Sequence, residues 1–289
     1  MKKCLICNST NVTLSNRLPY FDVMKCLNCE VLFTNKFPTS KKIIDIYSEN
    51  YYSPWTDSAG TIPKSVELMK KKTFKAYLNL LPRYIKLKRK KLLDIGCATG
   101  FLLETAREKG CDCWGVELNP FGAKESSKKF PKKIFNGILE NSKFKNDFFD
   151  IVTMIDLIEH TQNPLAVMKE VRRITKKGGY VLMVTPNVGG MWAKVLGKKW
   201  TNFKEEHLFY FKENSLKYMI NKSGFKFVFG EAVTKTLTLR YIWKQLDTYK
   251  TPILTTATKL FKFFPSFVLD FPFPIKTGDY LAIITTDKK

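Results

Sequence analysis

The sequence predicts an α/β fold, a seven-stranded and mainly parallel sheet with helices on both faces. Three observations carry this. Short apolar runs alternate with helix-like stretches from Lys91 to about Ala232, and such alternation means parallel strands joined by crossover helices. The first run leads into a turn framed by Gly96 and Gly100. The second run ends in a carboxylate, Glu117, seventeen residues after Gly100.

The chain divides into three parts: residues 1–36, a connector with a helix over 37–90, and a core over 91–289 carrying an insertion at 234–278. The first part holds Cys4-x-x-Cys7 and Cys26-x-x-Cys29, two pairs separated by 18 residues. Each pair makes a tight turn that aims two sulfurs at one point, and the spacer holds a short hairpin. This predicts a small zinc ribbon with one structural Zn2+ on four thiolates, closed to substrate. Iron on the same ligands is the minor alternative.

The connector from Phe37 to about Pro63 is rich in Tyr, Ser and Pro, with Tyr47, Tyr51, Tyr52 and Trp55 among its aromatics. A helix follows over Ser65–Leu81, with apolar spacing at Val66, Met69, Thr73, Ala76, Tyr77 and Leu80, ended by Pro82. The core strands are expected at Leu92–Ile95, Cys113–Glu117, Lys133–Phe135, Phe149–Ile155, Tyr180–Val184 and Lys226–Phe229. Tyr280–Thr285 returns antiparallel as the seventh. A helix begins near Phe101, another opens at Asn163-Pro164 and runs to about Thr175, and a third covers Lys212–Ser223 before Gly224. The insertion interleaves Phe261, Phe263, Phe264, Phe267, Phe271 and Phe273 with Lys259, Lys262 and Lys276. That pattern suits a helical cap packed on the core. It also suits a membrane-surface contact through 259–276, or a lid over a lipid-linked substrate.

The glycine turn and Glu117 indicate chemistry. Glycines at a strand-to-helix turn let a ligand approach the backbone and its free amides. A carboxylate at the tip of the next strand is where a doubly wound fold holds ribose hydroxyls. An adenosine-containing cofactor follows. A dinucleotide needs G-x-G-x-x-G, whereas this turn reads Asp94-Ile-Gly96-Cys97-Ala98-Thr-Gly100. That motif resembles the class I S-adenosylmethionine-dependent methyltransferases, whose first motif is commonly Asp/Glu-x-Gly-x-Gly-x-Gly; only Ala98 departs. The resemblance extends through Asp156-Leu-Ile-Glu159-His160, Lys177-Gly178-Gly179, Thr185-Pro186-Asn187, Trp200 and Glu206-His207-Leu208. It covers roughly residues 90–232 and the last strand, about half the chain.

The resemblance implies S-adenosyl-L-methionine as cofactor and a Rossmann-like methyltransferase sheet. It places Asp94, Gly96 and Gly100 at the methionine end, with Cys97 and Ala98 in the turn. Glu117 would hold the ribose, with Leu118 beside it, and Ile138 and Leu139 would flank the adenine. Asp156 would point toward the methionine end. Many relatives carry an acid just after the third strand for the adenine amino group; Gly137-Ile138-Leu139-Glu140 stands there instead, which leaves that contact in doubt. Asp156, Glu159 and His160 share a face if helical. They could supply a general base or ligands for a divalent ion, since a related group of quinone-ring O-methyltransferases has a similar run proposed to bind Mg2+. Glu159 and His160 could equally serve only to fix the loop by hydrogen bonds. His207 is a second candidate base. His160, at the carboxyl end of the fourth strand, is expected nearer the chemistry.

At 289 residues with 44% hydrophobic content the chain can bury a full core. No apolar run reaches the roughly 20 residues that span a bilayer, and Met-Lys-Lys-Cys-Leu-Ile-Cys lacks a signal-peptide stretch. These features and reduced cysteines predict a cytoplasmic protein, peripheral at the inner membrane face if the aromatic insertion binds lipid. Cys111 and Cys113 share a strand face and are expected in the core. The net charge of +23 either coats the surface or attracts an anionic partner. The subgroup resembles enzymes of cell-surface glycan or small-molecule methylation, which predicts a sugar, lipid-linked or other small acceptor. An RNA methyltransferase is the alternative, weakened by the absence of an Asn/Asp-Pro-Pro-Tyr/Phe motif. A non-catalytic cofactor-binding module is the remaining alternative.

Overall fold

The computed structural model describes residues 3–39, 52, 55–57, 60–248 and 264–287. The N-terminal part forms strands β1 (Val12–Arg17), β2 (Asp22–Cys26) and β3 (Leu32–Thr34). After helix α1 (Lys64–Leu78), the core runs β4 (Lys91–Ile95), α2 (Phe101–Glu108), β5 (Asp112–Glu117), α3 (Pro120–Lys129), β6 (Ile134–Asn136) and β7 (Phe149–Ile155). It continues with α4 (Pro164–Ile174), β8 (Thr175–Pro186), α5 (Met191–Leu196), β9 (Phe209–Tyr210) and α6 (Glu213–Lys222). The chain closes with β10 (Lys226–Leu237), α7 (Leu239–Thr248), α8 (Ser266–Leu269) and β11 (Phe273–Thr285).

Local chemistry sets the helix starts. Asn119 and Asn163 cap α3 and α4 by accepting from the Gly122 and Ala166 amides, and Pro120 and Pro164 take the first helical positions. Those are the positions where a missing N–H costs nothing. Basic residues occupy the last turns, Lys128 and Lys129 in α3 and Arg172 and Arg173 in α4, where they complement the helix dipole. In α1 the buried Val66, Met69, Thr73 and Tyr77 recur at helical spacing.

The large sheet has the order β10-β11-β8-β7-β4-β5-β6. Strands β4 to β8 pair in parallel, and β11 is antiparallel to both neighbours. The strand order reverses between β4 and β7, so a crevice opens beyond their carboxyl ends. One apolar cluster, with Val167, Met168, Val171, Leu216 and Ile220, packs α4 and α6 on one face. A second, with Tyr77, Leu78, Leu102, Leu103 and Ala106, packs α1 and α2 on the other. Cys111 and Cys113 are buried in that second cluster.

Two arrangements go beyond the sequence reading. The N-terminal hairpin does not stand apart from the core. It is part of a four-stranded sheet, β1-β2-β3-β9, whose last strand comes from the connection after β8. The expected insertion is also shorter, because β10 continues to Leu237 and β11 begins at Phe273, paired from Thr234↔Lys276 to Leu237↔Phe273. The reading of the insertion as a cap with its aromatics packed inward needs correction, since Phe264, Phe267 and Phe271 are exposed, Phe267 by 77%. Tyr47, Tyr51, Lys259, Phe261, Lys262 and Phe263 lie outside the described residues. Among the described residues, no helix is long and apolar enough to cross a membrane.

Candidate active site and thiolate cluster

A cavity of about 690 Å³ lies beyond the ends of β4 and β7. Its sheet-side wall is the glycine turn. Asp94 closes β4, is buried, and accepts a 2.7 Å hydrogen bond from the Thr153 hydroxyl on neighbouring β7. Burial pushes its pKa up to about 7, with the Thr153 bond opposing. Gly96, Ala98 and Gly100 all have positive φ, at 78°, 48° and 85°, so the chain coils tightly and Gly100 is the N-cap of α2. The coil brings the Ala98 amide to Glu117, whose Oε2 accepts from it at 2.8 Å; Oε1 accepts from the Asn119 amide at 2.8 Å. Burial raises the Glu117 pKa, and these backbone donors work against the rise. Cys97 is buried, and a Cβ on Gly115 would sit 2.6 Å from its sulfur. The adjacent strand must therefore carry glycine there.

Leu118, Ile138 and Leu139 also line the cavity, with Leu139 buried and Ile138 half-exposed. Glu140 and Asn141, in the turn at 139–141, line it too. These are the polar groups nearest the place where the sequence left the adenine amino contact open.

The end of β7 departs from the expected grouping. Asp156 has φ 51° and is held by Lys235 of β10, whose ammonium lies 3.0 and 2.8 Å from the two carboxylate oxygens. Lys235 also reaches Asp279 of β11 at 3.0 Å. Burial opposes the charge of Asp156, but Lys235 outweighs it and holds the carboxyl below its usual range. Asp156 therefore does not join Glu159 and His160 in one set of ligands. His207 does: ligand atoms of Glu159, His160 and His207 all lie within 4.8 Å of one another. The two imidazoles meet edge to face at 4.6 Å. The sequence treated these histidines as rivals, and it gave no signal for Lys235, which lies in a strand extension without an apolar run.

His160 lines the cavity, and the structure places Glu159 and His207 behind it, almost wholly buried. His160 Nδ1 lies 3.0 Å from the Glu206 carbonyl. A carbonyl only accepts, so Nδ1 carries the proton and Nε2 keeps its lone pair. Burial lowers the His160 pKa, which favours this neutral form. Glu159 Oε2 accepts from the Thr185 hydroxyl at 2.9 Å, while Oε1, 4.0 Å from His160 Nε2, has no hydrogen-bond partner. Burial, and then the Asp156 charge, push the Glu159 pKa up to about 8. His207 Nδ1 is likewise buried without a partner.

Away from the cavity, the sulfurs of Cys4, Cys7, Cys26 and Cys29 converge within 4.8 Å of one another. Cys4 and Cys29 are 3.6 Å apart and Cys7 and Cys26 3.4 Å. A zinc ion with Zn–S near 2.3 Å needs sulfurs about 3.8 Å apart on a tetrahedron, so the set fits after a small expansion. Backbone bonds then link this sheet to the cavity: the Thr34 amide donates to the Leu208 carbonyl and the Leu208 amide to the Glu159 carbonyl.

A family model described as a methyltransferase domain matches residues 67–228. The ubiquinone biosynthesis O-methyltransferase of Aliivibrio fischeri is 28% identical over 105 residues, covering 34% of this chain and 44% of that protein. The enzyme of the same name from Dechloromonas aromatica is 29% identical over 117 residues, covering 38% and 50%. The chain thus spans about half the length of these curated relatives. Among solved structures, magnesium protoporphyrin IX methyltransferase from Synechocystis with bound SAH superposes with a TM-score of 0.55 at 12% identity, covering 86% of this chain and 100% of that one. A possible histamine N-methyltransferase from Thermotoga maritima gives 0.52 at 17%, covering 86% and 98%. At such identities the likeness establishes the fold.

Proposed function

Since the chain belongs to the methyltransferase-domain family, we propose that it is an S-adenosylmethionine-dependent methyltransferase that methylates a hydroxyl oxygen of a small acceptor, a sugar, lipid-linked or comparable molecule. The observation that carries this is the single cavity running from the glycine turn to His160 and Lys235. At about 690 Å³ it falls within the roughly 300–1,000 Å³ of pockets that enclose drug-sized ligands. S-adenosylmethionine supplies an electrophilic methyl group on a sulfonium.

The residues then divide the work. Glu117 takes the ribose hydroxyls, exchanging or sharing the amide bonds it now accepts. Leu118, Ile138 and Leu139 enclose the adenine. Asp94 holds the cationic amino group of the amino-acid end, the Gly96 and Cys97 amides tie the turn to the Val116 carbonyl, the Ala98 amide becomes available as Glu117 turns to the ribose, and Gly96 and Gly100 permit the close approach. Asp156, kept ionised by Lys235, adds negative charge on the sulfonium side. His160 Nε2 removes the acceptor proton as the oxygen–methyl bond forms and the methyl–sulfonium bond breaks.

A second reading rests on the convergence of Glu159, His160 and His207. The unpartnered Glu159 Oε1 and His207 Nδ1 would both be satisfied by one divalent ion. Two imidazoles favour a transition metal over Mg2+, which prefers oxygen. The four thiolates of Cys4, Cys7, Cys26 and Cys29 would hold a structural zinc. Exposed Met191, Val195, Phe267 and Phe271, with nearby lysines, support peripheral contact with the inner membrane face, partly through 259–276.

Radiolabelled methyl transfer on separated RNA, lipid and nucleotide-sugar fractions tests the acceptor. Label is expected in the lipid or sugar fraction, and label confined to RNA would overturn the choice. Activity lost to a chelator that leaves the thiolate zinc in place would select the metal reading over the His160 base.

A further inference from the structure

Part of the cavity wall is built by α1 and β10, which are fastened together where the Thr236 amide donates to the Thr73 hydroxyl at 2.8 Å. Two ammonium groups reach the cavity from this wall, Lys70 and Lys235. They differ in their surroundings. Lys235 is neutralised by Asp156 and Asp279. The Lys70 ammonium instead lies over aromatic faces, 4.0 Å from the Trp55 ring centroid and 5.4 Å from that of Tyr241. Among the described residues it has no carboxylate partner within ion-pair distance. Trp55 lines the same cavity. Ring faces attract the cation and fix its position, yet they shed its water and supply no hydrogen-bond acceptor in the plane of approach. A fixed, partly dried ammonium on a cavity wall is suited to an anionic oxygen group.

We propose that Lys70, seated on Trp55, is the subsite that reads a carboxylate or phosphate on the acceptor. This rests on the methyltransferase reading above and narrows its acceptor to an anionic one. Lys235 does not share the role, because its charge is already spent on two carboxylates.

Calorimetric titration of the 289-residue chain, saturated with S-adenosylhomocysteine, tests this with three probes: benzoate, inorganic phosphate and neutral benzyl alcohol. At least one anion is expected to bind about tenfold or more tighter than benzyl alcohol, the effect of one charge-assisted contact. Whether benzoate or phosphate prevails identifies the group. Lys70→Met should abolish the preference, Lys70→Arg should retain it, and S-adenosylhomocysteine affinity should be the same in all three proteins. Equal binding of all probes to the wild type, or an anion preference that survives Lys70→Met, overturns the proposal. Failure of S-adenosylhomocysteine to bind the wild type would instead sink the methyltransferase reading beneath it.

Discussion

At residue scale the cofactor turn is governed by a few close contacts. Ala98 sits at φ 48°, a conformation costing an L-residue about 1 kcal/mol. Its amide is the donor to Glu117. Ala98→Gly relieves that cost while loosening the unfolded chain by a similar amount, so chemical denaturation should find stability within about 1 kcal/mol of wild type. Gly115→Ala is different, because the new methyl would meet Cys97 Sγ at 2.6 Å and Ile134 Cδ1 at 2.9 Å. A loss of roughly 1–3 kcal/mol is expected by the same measurement. Asp94 gives a pH signature. Its pKa is raised from 3.8 to about 7 by burial, so the folded chain binds this proton more tightly than the unfolded one. The stability this contributes is full below 3.8 and lost as pH rises through about 7. In the proposed site the ionised form is the one that would hold the cofactor's cationic amino group. S-adenosylhomocysteine affinity should therefore rise from pH 5 to 8, with its midpoint near about 7, and Asp94→Asn should flatten both trends. For His160→Ala, turnover should fall roughly 10²–10⁴-fold if it is the base, with cofactor affinity nearly unchanged; a lower folded fraction at normal specific activity would reduce it to a structural residue.

At the scale of elements, most of the sheet was legible because its strands are apolar runs closed by turns. Leu92–Ile95 and Phe149–Ile155 are buried on both faces, and only a parallel interior strand requires that. The extensions of β10 and β11 were not legible. Gly230 to Leu237 has no apolar run, and 273–279 contains Pro274 and Gly278. Each stretch is made a strand by the other, and at Pro274 β11 pairs with β10 alone, an edge position that tolerates proline. Lys235 was hidden for the same reason. The partnership of His160 with His207 was likewise unreadable, since it depends on β9 crossing to β3 and drawing residues 206–208 beneath residues 159–160. That crossing predicts a coupling. Cys7→Ser, or zinc removal, should lower the melting temperature and also slow methyl transfer, with S-adenosylhomocysteine affinity preserved. Intact protein should contain about one zinc per chain. Metal-free protein with normal melting and turnover would contradict both the zinc and the coupling.

At whole-molecule scale, the sheet order places the crevice between β4 and β7, α1 and β10 contribute to its wall, and the N-terminal sheet is tied to the histidine loop through Leu208. The net charge is +23; among the described residues, Lys70 and Lys235 are the lysines that line the cavity. The proposed function depends most on Glu117 being the ribose ligand of a cofactor seated on the glycine turn. Calorimetry with S-adenosylhomocysteine on wild type and on Glu117→Ala, with folding verified for both, measures this directly. We expect saturable binding near one equivalent to the wild type and affinity lowered about 10–100-fold in the variant, the worth of one or two charge-assisted hydrogen bonds. Absence of binding to the wild type, or equal affinity in the two proteins, would contradict the account.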